Sequence, residues 1–167
     1  MRPLAAVLLV TVVLPGWAGR DASSAAGGAQ TVGTPGPKDR ATYFANADLQ
    51  SIWSDLESRQ VINKRVVEGG THSINVRIVK EGDAPLVHAA SADVWIVTAG
   101  TSIAVTGGEL IEPRKRANSD DEAGAAIRNG VEQSLQPGDV LYVPAGVPHG
   151  FRNVRGFRAL LVRFDSK

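Results

Sequence analysis

The chain has three histidines, His72, His88 and His149, and no cysteine. Its candidate chemistry therefore rests on imidazole and carboxylate, with no thiolate ligand, thiol nucleophile or disulfide. His149 has the most distinctive setting, the stretch GDVLYVPAGVPHGFRN from Gly138 to Asn153. Pro137-Gly138-Asp139 reads as a turn, because proline presets φ and glycine accepts a positive one. Val140 to Val143 is a short β-branched and aromatic run, hence a strand. Pro144 ends that strand, since it has no N–H for a central ladder. Ala145-Gly146-Val147-Pro148 makes a second corner, and His149 opens the next strand. A histidine at such a mouth can coordinate a metal, shuttle a proton or bond a buried carbonyl.

Gly138, Pro144, Gly146, His149 and Asn153 fall on the pattern G-x5-P-x-G-x2-H-x3-N. The stretch thereby resembles the second signature of the cupin superfamily. The usual first signature is G-x5-H-x-H-x3,4-E-x6-G. Gly82 and His88 match its opening, and Asp93 and Gly100 match its acid and closing glycine. Ala90 stands where the second histidine belongs, and the acid is one methylene short. The strand Val94-Trp95-Ile96-Val97 and the turn Gly107-Gly108-Glu109-Leu110 resemble a subgroup of small bacterial cupins. The resemblance spans roughly residues 64 to 164. It implies an all-β fold, the double-stranded β-helix or jelly-roll barrel, with a pocket inside that often holds a divalent metal.

On that resemblance His88, Asp93 and His149 are the metal ligands. Two imidazoles and one carboxylate suit Fe(II), and also Mn, Ni or Zn, and leave positions open for water, oxygen or substrate. The resemblance then implies a metal-dependent pocket acting on a small oxygenated molecule, by dioxygenase, isomerase or lyase chemistry. The alternative is a non-catalytic binding or sensing barrel with weak metal or none. In its metal-free form His88 and His149 bond each other's strands or ordered water. The absent second histidine favours this alternative. His72, Trp95, Tyr142 and Phe151 are expected to line the pocket, with the Tyr142 hydroxyl the candidate acid or orienting group.

The elements that must position these groups follow from periodicity. Leu49, Ile52, Trp53 and Leu56 share one face of a helix over residues 46–60, with Asn46 as N-cap and Asp48 in the first turn. This helix is expected to lie as a lid against the barrel. Residues 64–68 and 71–80 form a hairpin around Gly69-Gly70. In its second strand Ile74, Val76 and Ile78 alternate with Ser73, Asn75 and Arg77, which puts His72 in phase with the apolar, inward row. Asp93 and Trp95 share a face in the run from Leu86 to Gly100, and residues 101–106 make a further strand. Residues 113–123 are charged and read as a solvent loop ending in a mixed surface hairpin. Ile127 and residues 131–135 resume the sheet, and residues 157–164 close it. Val76, Ile78, Val97, Val105 and Leu161 join the expected lining or packing.

The 167 residues suffice for one domain with a core. Residues 1–18 read as a secretory signal peptide: one arginine, an apolar run from Leu4 to Leu14, then Gly16 and Ala18 at cleavage-site positions. Residues 19–38 read as a flexible linker and 39–167 as the barrel domain. The expected location is secreted or periplasmic, with no membrane insertion after cleavage, because the apolar run is shorter than the ~20 residues of a spanning helix. Lys and Arg number 18 against 17 Asp and Glu, a net charge of +1. That balance gives no electrostatic case for a nucleic-acid partner. Aromatics at 5% argue against a base-stacking surface. The expected partner is a small molecule, and exposed barrel edges allow a homodimer. No G-x-S-x-G, P-loop, G-x-G-x-x-G or H-E-x-x-H stretch occurs.

Overall fold

The computed structural model describes residues 35–166. The signal peptide and most of the linker read from the sequence lie outside the described residues. One helix, α1 (Asn46–Ser58), precedes eleven strands. These are β1 (Asn63–Glu68), β2 (His72–Ile78), β3 (Leu86–Val87), β4 (Ser91–Thr106), β5 (Glu109–Ile111) and β6 (Arg114–Lys115). Then come β7 (Glu122–Ala123), β8 (Ala126–Arg128), β9 (Val131–Leu135), β10 (Val140–Val143) and β11 (His149–Asp165). Every strand pair is antiparallel. The fold is an all-β double-stranded β-helix with one N-terminal helix.

Two long strands make the frame. β4 and β11 pair from His149↔Thr106 at one end to Asp165↔Ser91 at the other, with register shifts between Arg152 and Ala159. A straight ladder would hold His149 and Asp93 at opposite ends. The bend is made where Gly100 (φ +72°), Asn153 (φ +54°) and Gly156 (φ +58°) adopt left-handed backbone. A Cβ on Gly100 would lie 2.2 Å from the Gly156 carbonyl oxygen, so only glycine fits that crossing. Residues 91–106 are thus one bent strand rather than two, and the last strand begins at His149 rather than Phe157.

The register decides which side chains enter the barrel. Directly paired residues share a face. Ser73, Arg163 and Asp93 form one such row across β2, β11 and β4, and Asn75, Leu161 and Trp95 form the next. The interior cluster includes Trp95, Val97, Val143, Phe157 and Leu161. The polar row of β2 therefore faces the barrel, and its apolar row faces the other way. Val76 and Ile78 pack outside it with Trp53 and Leu56 of α1. A 13-residue helix is marginal alone in water. Burying side chains such as Trp53 and Leu56, at about 1.5–3 kcal/mol each, holds it in place.

Several sequence expectations change accordingly. Val76 and Ile78 do not line the barrel, because the helix covers their face. His72, in the same row, is exposed at the strand end. Val105 lies on the outer face, where a Cβ on Gly130 would meet its Cγ1 at 2.7 Å. Helix α1 begins at Asn46, with Ala45 as the cap residue whose N–H donates to Asp48 Oδ2 at 3.2 Å. The segment 113–123 contains the β6–β7 hairpin. At the described end of the linker, Gly36 N–H donates to the Glu68 carbonyl at 3.0 Å.

Candidate metal centre

His88, Asp93 and His149 come together inside the barrel, each buried, with one ligand atom apiece all within 4.8 Å of one another. Asp93 reaches the point from β4, between Val143 of β10 and Arg163 of β11. His88 follows β3, and its carbonyl accepts from Gly146 N–H at 2.8 Å, which ties the two motif segments together. His149 opens β11 directly after Pro148. The Nε2 atoms of His88 and His149 each lie 3.6 Å from Asp93 Oδ2, and the two rings are 5.3 Å apart.

The outer nitrogen of each imidazole has an acceptor. His88 Nδ1 is 2.7 Å from Asp121 Oδ2, whose other oxygen accepts from Ala89 N–H at 3.0 Å. His149 Nδ1 is 3.2 Å from the Val147 carbonyl. With Nδ1–H committed to these oxygens, both Nε2 lone pairs turn inward, the tautomer that metal-ligating histidines use. The two 3.6 Å separations from Asp93 Oδ2 suit donors around an ion bound at about 2.0–2.2 Å, and the third pair lies within 4.8 Å. By donor type and outer hydrogen bonds the three residues fit a divalent transition metal.

One further group enters the same point. Arg163 Nε donates to Asp93 Oδ1 at 2.7 Å, and Arg163 Nη2 donates to Asp93 Oδ2 at 2.8 Å. The same Nη2 lies 2.7 Å from His88 Nε2. Burial alone would raise the Asp93 carboxyl. The Arg163 hydrogen bonds, the neighbouring His149 imidazole and the guanidinium charge outweigh it and hold Asp93 well below the usual carboxylate range. Burial, then the Arg163 charge, lowers His88 from its ordinary value. Asp121 is also lowered: burial opposes this, but the bonds from His88 and Ala89 prevail.

The remaining residues expected at the site separate into two sets. Trp95 and Phe151 pack edge to face at 4.8 Å and border a cavity of about 30 Å³ beside His149, with Arg77, Val79 and Leu86. Trp95 Nε1 is buried without a hydrogen-bond partner. Tyr142 and His72 are not at the site. Tyr142 is 55% exposed and stacks on Phe164, because Leu141 and Val143, not Tyr142, have the inward phase of β10. That position withdraws its hydroxyl from any acid role here. A groove of about 570 Å³ lies at the bend of the long strands among Thr101, Ser102, Gln133, Asp139, Asn153 and Arg155, away from His88, Asp93 and His149.

Arg163 and Asp121 are the residues that sequence reasoning missed. Arg163 had a signal: it alternates with Val162 and Phe164 in step with Leu161, so an arginine sits on the inward row of an apolar strand. Asp121 had none, being one acid in a charged hairpin.

No family model matches the chain, and no curated protein matches it. Among solved structures it is similar to a Bacillus halodurans protein determined at 1.41 Å, with 12% identity over 78% of this chain and 85% of that one and a TM-score of 0.48. It is similar to a conserved Klebsiella pneumoniae protein with a double-stranded β-helix domain, at 21% identity over 63% and 76% of the two chains and a TM-score of 0.41. It is also similar to a Sphingomonas hydroquinone 1,2-dioxygenase with 4-hydroxybenzoate bound, at 14% identity over 63% and 65% and a TM-score of 0.44.

Proposed function

We propose that this chain is a metal-binding cupin-type barrel whose site receives a small oxygenated molecule, and that it works outside the cytoplasm once residues 1–18 are removed. The observation that carries the metal is the convergence of three buried ligand atoms within 4.8 Å, with an acceptor behind each imidazole. His88, Asp93 and His149 would hold Fe, Mn, Ni or Zn. Such an ion supplies a Lewis acid or, for a redox metal, an oxygen-activating centre, which is the common ground of oxygenase, isomerase and lyase chemistry.

The chain's own residues set what can approach. Asp121 and the Val147 carbonyl fix the imidazole tautomers. Trp95 brings a buried N–H that lacks an acceptor, and Arg77 brings a guanidinium to the same small cavity. The Arg77 guanidinium is already paired with Asp83, which lines the same cavity, so the donor left for a ligand is the Trp95 N–H, and it suits an acceptor oxygen such as a carbonyl. At about 30 Å³ the cavity admits only the tip of a ligand, and the rest of the molecule stays towards the barrel mouth.

The metal is tested by reconstituting purified protein with each of the four ions and measuring bound metal by elemental analysis. Near-stoichiometric metal in the wild type, lost in His149→Ala, is the expected result. A wild type that retains none of the four ions overturns the reading. The second reading, a binding barrel without resident metal, has one observation in its favour: Arg163 already satisfies Asp93 and His88.

A further inference from the structure

We propose that Arg163 is an internal cation that competes with the metal for this site, so that the Arg163–Asp93 ion pair and the bound ion exclude one another. The inference rests on the metal reading above and goes beyond it by assigning a residue that regulates metal occupancy.

The exclusion follows from lone-pair counting. A neutral imidazole with its Nδ1–H donated outward has a single lone pair, on Nε2. For His88 that lone pair faces Arg163 Nη2 at 2.7 Å, while Nδ1 faces Asp121. It can accept from the guanidinium or bind an ion, not both. Asp93 adds a charge argument. Its two oxygens accept a bidentate fork from Arg163, and the carboxylate is fully buried. A divalent ion beside Oδ2 would stand within a few ångströms of a guanidinium in a poorly solvated site, where like charges repel strongly.

Arg163 is also placed by the fold and not by a wandering loop. It pairs with Asp93 on β4 and with Ser73 on β2, in the centre of the interior row. Without metal the arrangement gives a buried carboxylate the partner it needs. The Arg163 side chain is 25% exposed while Asp93 is 0% exposed, so the guanidinium has a route to solvent that the carboxylate lacks. Metal binding then requires Arg163 to swing outward. Apparent metal affinity is reduced by the fraction of chains in which the ion pair is closed.

The test is a competition titration of Zn(II) alone against a chromophoric chelator, using wild type, Arg163→Met and Arg163→Gln, with thermal midpoints measured with and without Zn(II). Arg163→Met should bind Zn(II) at least tenfold more tightly than wild type. Its metal-free midpoint should fall, and Zn(II) should raise that midpoint more than it raises the wild type's. Arg163→Gln leaves a donor for Asp93 without the charge, should bind at an affinity between the two, and is read in place of Arg163→Met if that variant does not fold. If variant and wild type bind alike, or the variant binds more weakly, the competition is overturned and the metal reading stands. If neither binds Zn(II), the competition is overturned, and the metal reading is decided by the four-ion reconstitution. If only the variant binds, the competition holds and wild-type residency of the metal fails.

Discussion

The segments 82–100 and 138–153 each deliver one imidazole to the same point, and they hold it by different means. In the second segment the support is local. The carbonyl that orients His149 belongs to Val147, two positions back, in the corner bounded by Pro144 and Pro148. In the first segment the support comes from afar. His88 leans on Asp121 from the β6–β7 hairpin, and its inner nitrogen meets Arg163 near the chain's end. The segment that matches its motif at every fixed position carries its own second layer of hydrogen bonds. The segment that departs from its motif borrows that layer from parts of the chain the motif does not contain.

The sharpest way to separate the two is to remove the borrowed support. No side-chain change deletes the Val147 carbonyl, whereas Asp121→Ala deletes the acceptor behind His88. Loss of such an outer partner typically lowers metal affinity by about 10–100-fold. We expect a loss in that range for Zn(II) with Asp121→Ala, and a smaller one for Asp121→Asn, whose amide oxygen can still accept from Nδ1–H. Chelator competition at neutral pH measures both. A change under about threefold in Asp121→Ala would show that His88 is held by its backbone alone, and the contrast between the segments would collapse.

Acid should find the difference next, in the metal-free protein. His88 titrates below its ordinary value in the fold, owing to burial and then the Arg163 charge. The unfolded chain therefore binds more protons than the folded one just below pH 6.5, and stability rises with pH across that window. Equivalently, stability falls as pH drops below about 6.5, with a slope of at most about 1.4 kcal/mol per pH unit for one proton. Asp93 and Asp121 are lowered carboxylates. Their contributions stand in full above the unfolded carboxylate range near pH 4 and are lost below it, outside the His88 window. Urea unfolding at pH 7.5, 6.5 and 5.5 should show the decline, and His88→Gln should flatten it. An equal slope in the variant would assign the decline elsewhere.

The strands and turns were legible because each is written locally: proline and glycine at the corners, alternation between them. The convergence of His88, Asp93 and His149 was legible only through motif spacing. Phase alone misled where both faces of a strand are covered. In β2 the apolar row lies beneath α1 and the polar row faces the barrel, so reading the apolar row as inward sent His72, Val76 and Ile78 to the wrong side. Tyr142 lies outside for the opposite reason, since the plain alternation of β10 puts Leu141 and Val143 inside. Asp121 and Arg163 act across the sheet on residues 33 and 75 positions away from them in the chain. That closeness comes from long-range pairing, β7 beside β3 and β11 beside β4, which no local pattern reports.

The smallest effect concerns the histidine that the first segment lacks. Motif spacing suggests that Ala90→His would restore a ligand. The geometry argues otherwise, because Ala90 is exposed in the bend between β3 and β4 and its carbonyl accepts from Ser166 N–H at 2.9 Å. A side chain there leaves toward solvent, and a surface change of this kind shifts stability by no more than about 0.5 kcal/mol. Ala90→His should therefore match wild type in Zn(II) affinity within about twofold and in urea midpoint within error. A tenfold gain would mean that residues 89–91 turn inward when an ion is present. The first segment would then be a motif one substitution from completion, and its dependence on Asp121 and Arg163 would be a property of the metal-free state alone.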